Sequence, residues 1–177
     1  MYIKSNHVRM NQSFWNKAAI SGILLALVSV FFIVLQSVLT PGRGLSILFW
    51  ILKLAATLGL LYYFMKDFGK GKESYTYADS LKFGLAVSFC SSIIAAAYYY
   101  FHVMFLFPDT ANQLSNALLT GFEQAGVTAE DFNTDKFIAR LPVIITISQL
   151  IYYNILGLLW SSLLANGTKH KIVSTPF

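Results

Sequence analysis

Residues 83–107 read FGLAVSFCSSIIAAAYYYFHVMFLF, without one Asp, Glu, Lys or Arg. As a helix rising 1.5 Å per residue, such a run reaches across the roughly 30 Å of hydrocarbon in a bilayer. Three further stretches, 18–39, 45–65 and 141–165, lack Asp and Glu and are as long as a span requires. Lipid offers a backbone amide no partner and a lone strand cannot satisfy its own, so each run must be a helix. The first is too long for the roughly 7–15-residue core of a signal peptide and no A-x-A-like site follows it, so it reads as an uncleaved span.

Composition agrees. Of 177 residues, 56% are hydrophobic and 12% charged, against roughly 45–50% and about 25% in soluble domains. The net charge of +5 does not point to nucleic acid, because the basic residues sit at the ends of apolar runs and form no stripe with interleaved aromatics. Cys90 stands alone in an apolar run, where it reads as a small buried hydrophobe and carries no information about redox compartment.

The basic residues instead set orientation. Lys4, Arg9, Lys17, Lys66, Lys70, Lys72, Lys82, Lys169 and Lys171 fall on one side of the predicted spans, and Arg43, Lys136 and Arg140 on the other. The richer side is the cytoplasmic one. Both termini and the loop 66–82 are then inside, and the turn TPGRG and the loop 108–140 outside. The acidic residues lean outward, leaving the outer loop net acidic.

The loops carry local signals. GKGKES has the composition of a flexible linker, and Thr76-Tyr77-Ala78-Asp79 then fits a Thr-x-x-Asp relative of the capping box, predicting a third helix from near Tyr77. In the outer loop Leu114, Leu118 and Phe122 recur at four-residue spacing beside Leu119, which predicts an amphipathic helix on the membrane surface or over the bundle. Thr128 with Asp131 can cap a further turn, and Asn133 or Thr134 can start the last helix, with Pro142 close to its beginning.

Tyr98, Tyr99 and Tyr100 fan over about 200° of a helix and cannot all point to lipid, so at least one faces protein. His102 falls in the outer leaflet within reach of water and reads as a boundary marker. His7 and His170, its only fellow histidines, lie on the other side, which argues against a metal site. Lys53 is the one formal charge within a span. It costs about 2.5–3.5 kcal/mol at a helix centre, against roughly 3–7 kcal/mol from the Leu, Ile and Phe residues around it, so the span still inserts. Its side chain slants outward and can snorkel to headgroups or to the tyrosines. An intramembrane charge is also a functional candidate, and with Tyr98–Tyr100, His102, Gln149 and Asn154 it can line a polar pocket. Gln36, Gln149 and Asn154 are expected to face inward, since an unpaired amide in hydrocarbon is costly.

Each span carries small residues four apart: Ala18, Gly22, Ala26; Ala55, Gly59; Gly84, Ser88, Ser92, Ala96; Gly157, Ser161, Ala165. Such stripes let backbones approach closely where no hydrophobic drive separates helix from lipid. The stripe of the third helix predicts the centre of the bundle.

The span order, the approach YTYADSLKFGLAVSF, the turn FLFPD and the N-terminal MNQSFWNKAAISGILLALVS together resemble a family of small four-span membrane proteins of Bacteroidota, the domain of unknown function numbered four-one-nine-nine. The likeness covers most of residues 11–165, chiefly through Tyr77, Ser80 or Leu81, and Gly84, and through Pro108-Asp109. It implies an inner-membrane location and brings no catalytic residues. The expectation is therefore one all-α membrane domain over 1–177, an integral four-helix bundle with a partly helical outer loop. No cofactor, metal site or nucleic-acid partner is expected. The bilayer is its medium, and its function is that of a non-enzymatic scaffold or accessory subunit, a homo-oligomer or a companion of another membrane protein. A small-molecule carrier or channel subunit, with the pocket around Lys53 and the tyrosines, is the rival reading.

Overall fold

The computed structural model describes residues 2–39, 42–70, 72–126 and 134–171, with side chains for all of these but 2–12, 110–111, 134–135 and 171. Helix α1 runs Tyr2–Leu39, α2 Arg43–Gly69, α3 Tyr77–Phe101, α4 Pro108–Gln124 and α5 Thr134–Thr168. Two short strands, β1 (Ser74–Tyr75) and β2 (His170–Lys171), pair antiparallel with Ser74 opposite Lys171 and Tyr75 opposite His170. Among the described residues the regular structure is helical apart from this ladder. Four segments of the described residues are long and apolar enough to cross a membrane: Ser13–Leu39, Arg43–Gly69, Tyr77–Leu106 and Lys136–Thr168. Each contains one of the predicted runs, with Phe107 alone falling beyond it, and extends toward or past its polar flanks.

The chain divides into two compact units, Met1–Ala95 with Tyr152–Phe177, and Ala96–Ile151. In the first, Ala18 and Leu25 of α1, Leu61 and Met65 of α2, Phe83, Ala86 and Val87 of α3 and Ala165 of α5 form the core. The side chains turned away from it are large: Ile20, Leu24, Leu27 and Phe31 on α1, Leu48, Ile51 and Leu52 on α2, and Ile155, Leu158, Leu159 and Leu163 on α5 are all exposed. Small residues such as Ala18, Ala26, Ser88, Ser92, Ser161 and Ala165 are buried, while most of the large leucines and isoleucines lie outside. That reverses a water-soluble helix bundle and suits one whose surface meets lipid.

The third helix starts as its capping signal predicts. Thr76 donates its backbone N–H and its hydroxyl to Asp79 Oδ2, at 3.2 and 2.7 Å, and Asp79 N–H donates back to Thr76 Oγ1 at 3.2 Å. Upstream, the segment of linker composition is anchored. Tyr75 is fully buried, and its ring meets that of Phe68 with centroids 6.2 Å apart.

In the second unit, residues 102–106 leave α-helical geometry for a π-turn in which Phe107 N–H donates to His102 O at 2.8 Å. Pro108 explains the break: it cannot donate to the preceding turn and it pushes Phe107 out of the helical region, to φ −137 and ψ 66. Proline then serves as the first residue of α4, where its missing N–H is no loss. Leu114, Leu118, Leu119 and Phe122 are half-buried on one face of α4, their neighbours mostly exposed. Phe122 meets Phe137 of α5 edge-on, centroids 5.7 Å apart. Helix α5 begins at Thr134 and carries Pro142 inside it, well past its start. The Thr128–Asp131 cap and Asn133 lie outside the described residues.

Candidate functional site

The first unit is organised around a seam between α3 and α5. A Cβ built on Gly157 would stand 2.5 Å from Ser88 Cβ, and one on Gly84 would stand 2.8 Å from Ser161 Oγ and 2.9 Å from Met65 Sδ. Further along, Asn154 Nδ2 donates to Ser92 Oγ at 2.9 Å. Gly84, Ser88 and Ser92 therefore meet Ser161, Gly157 and Asn154 in antiparallel register. On the other flank of α3, Gly22 of α1 presses against Cys90 and Ser91: a Cβ there would lie 2.5 Å from Cys90 Cβ. Gly59 makes no contact of this kind. A Cβ on it would meet nothing within 4 Å, and both it and Ala55 are exposed.

The residues expected to line a polar pocket divide between the two units. In the first, Lys53 Nζ stands 5.6 Å from the ring centre of Tyr153, not against the tyrosines of α3. Among the described residues no carboxylate pairs with it. Asn154, next along α5 and turned about 100° from Tyr153, is engaged with Ser92. In the second, the Tyr98 hydroxyl lies 3.4 Å from His102 Nδ1, and the rings of Tyr99 and Phe107 flank the imidazole at 6.3 and 4.6 Å. Tyr98, Tyr99, Tyr100 and Gln149 are half-buried. His102, read from sequence as a boundary residue within reach of water, is only 2% exposed. The Tyr98 hydroxyl and the rings of Tyr99 and Phe107 cover it.

One feature of the first unit has no counterpart in the sequence reading. At the end where Ser13–Leu39 and Tyr77–Leu106 begin and Arg43–Gly69 and Lys136–Thr168 finish, Phe68 stacks on Phe83 with centroids 3.9 Å apart and planes inclined by 2°. Phe14 meets both edge-on, at 5.6 and 5.7 Å. Lys72 Nζ sits 3.5 Å from the centre of Phe68 and 5.0 Å from that of Tyr75, while Lys17 Nζ is 5.8 Å from the same Phe68. Burial lowers the Lys72 ammonium from the ordinary lysine range and Lys17 lowers it further, against the pull of Asp79. Burial also raises the Tyr75 hydroxyl above the ordinary phenol range. The signal was present in part: Phe14 and Lys17, and Phe68 and Lys72, are aromatic–lysine pairs three and four residues apart at span ends.

Residues 17–166 match the model of a family described as protein of unknown function, DUF4199. The chain belongs to that family. The match runs from the first turn of the first span to the last turn of the fourth, so the seam, Lys53 and the aromatic cluster beyond Phe14 all lie within what defines DUF4199. No curated protein and no solved structure matches the chain. The match bears out the expected resemblance, the four apolar helices support the membrane setting, and the family description assigns no activity.

Proposed function

We propose that this DUF4199 protein is a non-enzymatic component of the inner membrane, a scaffold or accessory subunit that packs against a second copy of itself or another membrane protein. The observation that carries this reading is the outward face of α2. Leu48, Leu52, Ala55 and Gly59 share that face, all exposed, with open space over Gly59. The other three spans each place small residues against a neighbour, whereas α2 keeps its pair on the outside, at the spacing that lets another helix approach closely. The basic residues favour an orientation with both termini in the cytoplasm.

The reading is tested in native membranes with a Cys90→Ala chain carrying one cysteine at Ala55 or Gly59. Oxidation yields a discrete cross-linked product from either position and none from Thr57, on the inner side of α2. Equal cross-linking from all three contradicts it, and none from any position rules out a second copy as the partner on this face. For orientation, a membrane-impermeant thiol reagent labels a cysteine at Thr120 from outside and leaves one at Ser74 unlabelled in intact cells.

Lys53 supports the carrier reading as an alternative. It is a cation in the middle of a span, lying against an aromatic ring, where an anionic or amphipathic small molecule would find a partner charge. Transport that is lost in Lys53→Met while the α2 cross-link persists favours the carrier over the scaffold.

A further inference from the structure

We propose that Lys17 and Lys72, held around the Phe68 ring, form a binding site for the phosphate of an anionic phospholipid headgroup. The site is independent of whether α2 docks a partner. Its depth follows from the spans: Lys17 lies in the first turns of Ser13–Leu39, and Lys72 lies three residues beyond the end of Arg43–Gly69. Both are therefore at the level where apolar helix gives way to headgroups. Two ammonium groups converge on one aromatic ring, at 3.5 and 5.8 Å from its centre. Among the described residues neither makes an ion pair. Such a pair repels itself until an anion enters, and basic pockets between spans at the cytoplasmic surface are the places where anionic headgroups bind.

The local charge suits an anion. Asp79 is the acidic group that acts on Lys72, and its Oδ2 is committed to capping α3 through Thr76. Asp79 also feels Lys82, so Lys17, Lys72 and Lys82 outnumber the one carboxylate and the local charge stays positive. The site is also built in advance. The Phe68–Phe83 stack fixes the ring, and the β1–β2 ladder fixes the backbone around Lys72, whose carbonyl lies 3.3 Å from His170 Nε2. An aromatic face holds the ammonium in place by cation–π attraction without using up its N–H donors.

The test is thermal unfolding of the full chain in nanodiscs of phosphatidylcholine with and without phosphatidylglycerol. Phosphatidylglycerol raises the midpoint of the wild-type protein. In Lys17→Gln/Lys72→Gln at least half of that rise is lost, while Lys66→Gln/Lys169→Gln, which removes two other lysines near the same membrane surface, keeps it. The Lys17→Arg/Lys72→Arg chain, which preserves charge, also keeps it and separates lost binding from damaged folding. A rise unchanged by Lys17→Gln/Lys72→Gln, or lost equally in both glutamine pairs, overturns the site in favour of diffuse attraction. Inorganic phosphate, added to phosphatidylcholine nanodiscs, leaves the midpoint unmoved; a rise equal to that given by the lipid overturns the assignment to a headgroup.

Discussion

Gly157 faces Ser88 so closely that a methyl group on the glycine would stand 2.5 Å from the serine Cβ. No real pair of side chains tolerates that distance, so the separation of α3 and α5 is set by the missing side chain. Gly157→Ala must push the helices apart along the whole seam. The expected cost is about 1–3 kcal/mol, the usual range for overpacking, read as a lower unfolding midpoint in detergent. Gly59→Ala, with open space around it, does not lower the midpoint, since alanine favours the helix.

Two serines in the same seam should respond in opposite directions. Ser161 Oγ is buried and, among the described residues, has no hydrogen-bond partner. Ser161→Ala removes an unsatisfied hydroxyl and is expected to stabilise by up to about 1 kcal/mol. Ser92 accepts from Asn154, so Ser92→Ala is expected to destabilise by about 0.6 kcal/mol, a typical worth for hydrogen bonds between membrane helices. The comparison of the two midpoints decides it.

At the start of α3, Thr76→Ala removes one arm of a reciprocal cap and costs about 1 kcal/mol. The loss is local. Amide exchange should quicken in residues 77–80 first and leave residues 88–92 protected.

Alkaline titration isolates Tyr75. Burial holds its folded-state pKa above that of the unfolded chain, so between the two the native state binds more protons and stability falls as pH rises. The contribution is fully present below the unfolded value of about 10 and is lost as pH climbs through the raised one. Tyr75→Phe is expected to show a shallower alkaline loss of stability than wild type. Equal slopes would place the Tyr75 hydroxyl in water.

The legible parts of this molecule are those written in neighbouring residues. Thr76 and Asp79 announce a helix start because a cap is made within one turn, and Leu114, Leu118 and Phe122 announce α4 because one face of a helix is a local periodicity. Spans are legible because the solvent imposes length and composition on them. Pairings between distant segments are not written this way. The four-residue spacing that marks Gly84 and Ser88 marks Ala55 and Gly59 equally, and spacing alone does not tell which stripe meets a helix of its own chain. Lys53 had several aromatic rings within its reach in principle, and the tertiary fold chose Tyr153. The cluster of Phe14, Phe68, Phe83 and Tyr75 joins three helices and a strand, so no window of sequence contains it. For His102, burial depends on rings of Tyr99 and Phe107 whose packing a local pattern does not specify.

The central claim is that hydrocarbon is the solvent for the large side chains this fold turns outward. Nitroxide labels at Leu24, Ile51, Phe89 and Leu159, all exposed, measure it directly in reconstituted bilayers. High collision rates with oxygen and low rates with a water-soluble nickel complex at all four positions are the expected result. Free access of the nickel complex to these sites, matching that of a label at Glu123, would contradict the account.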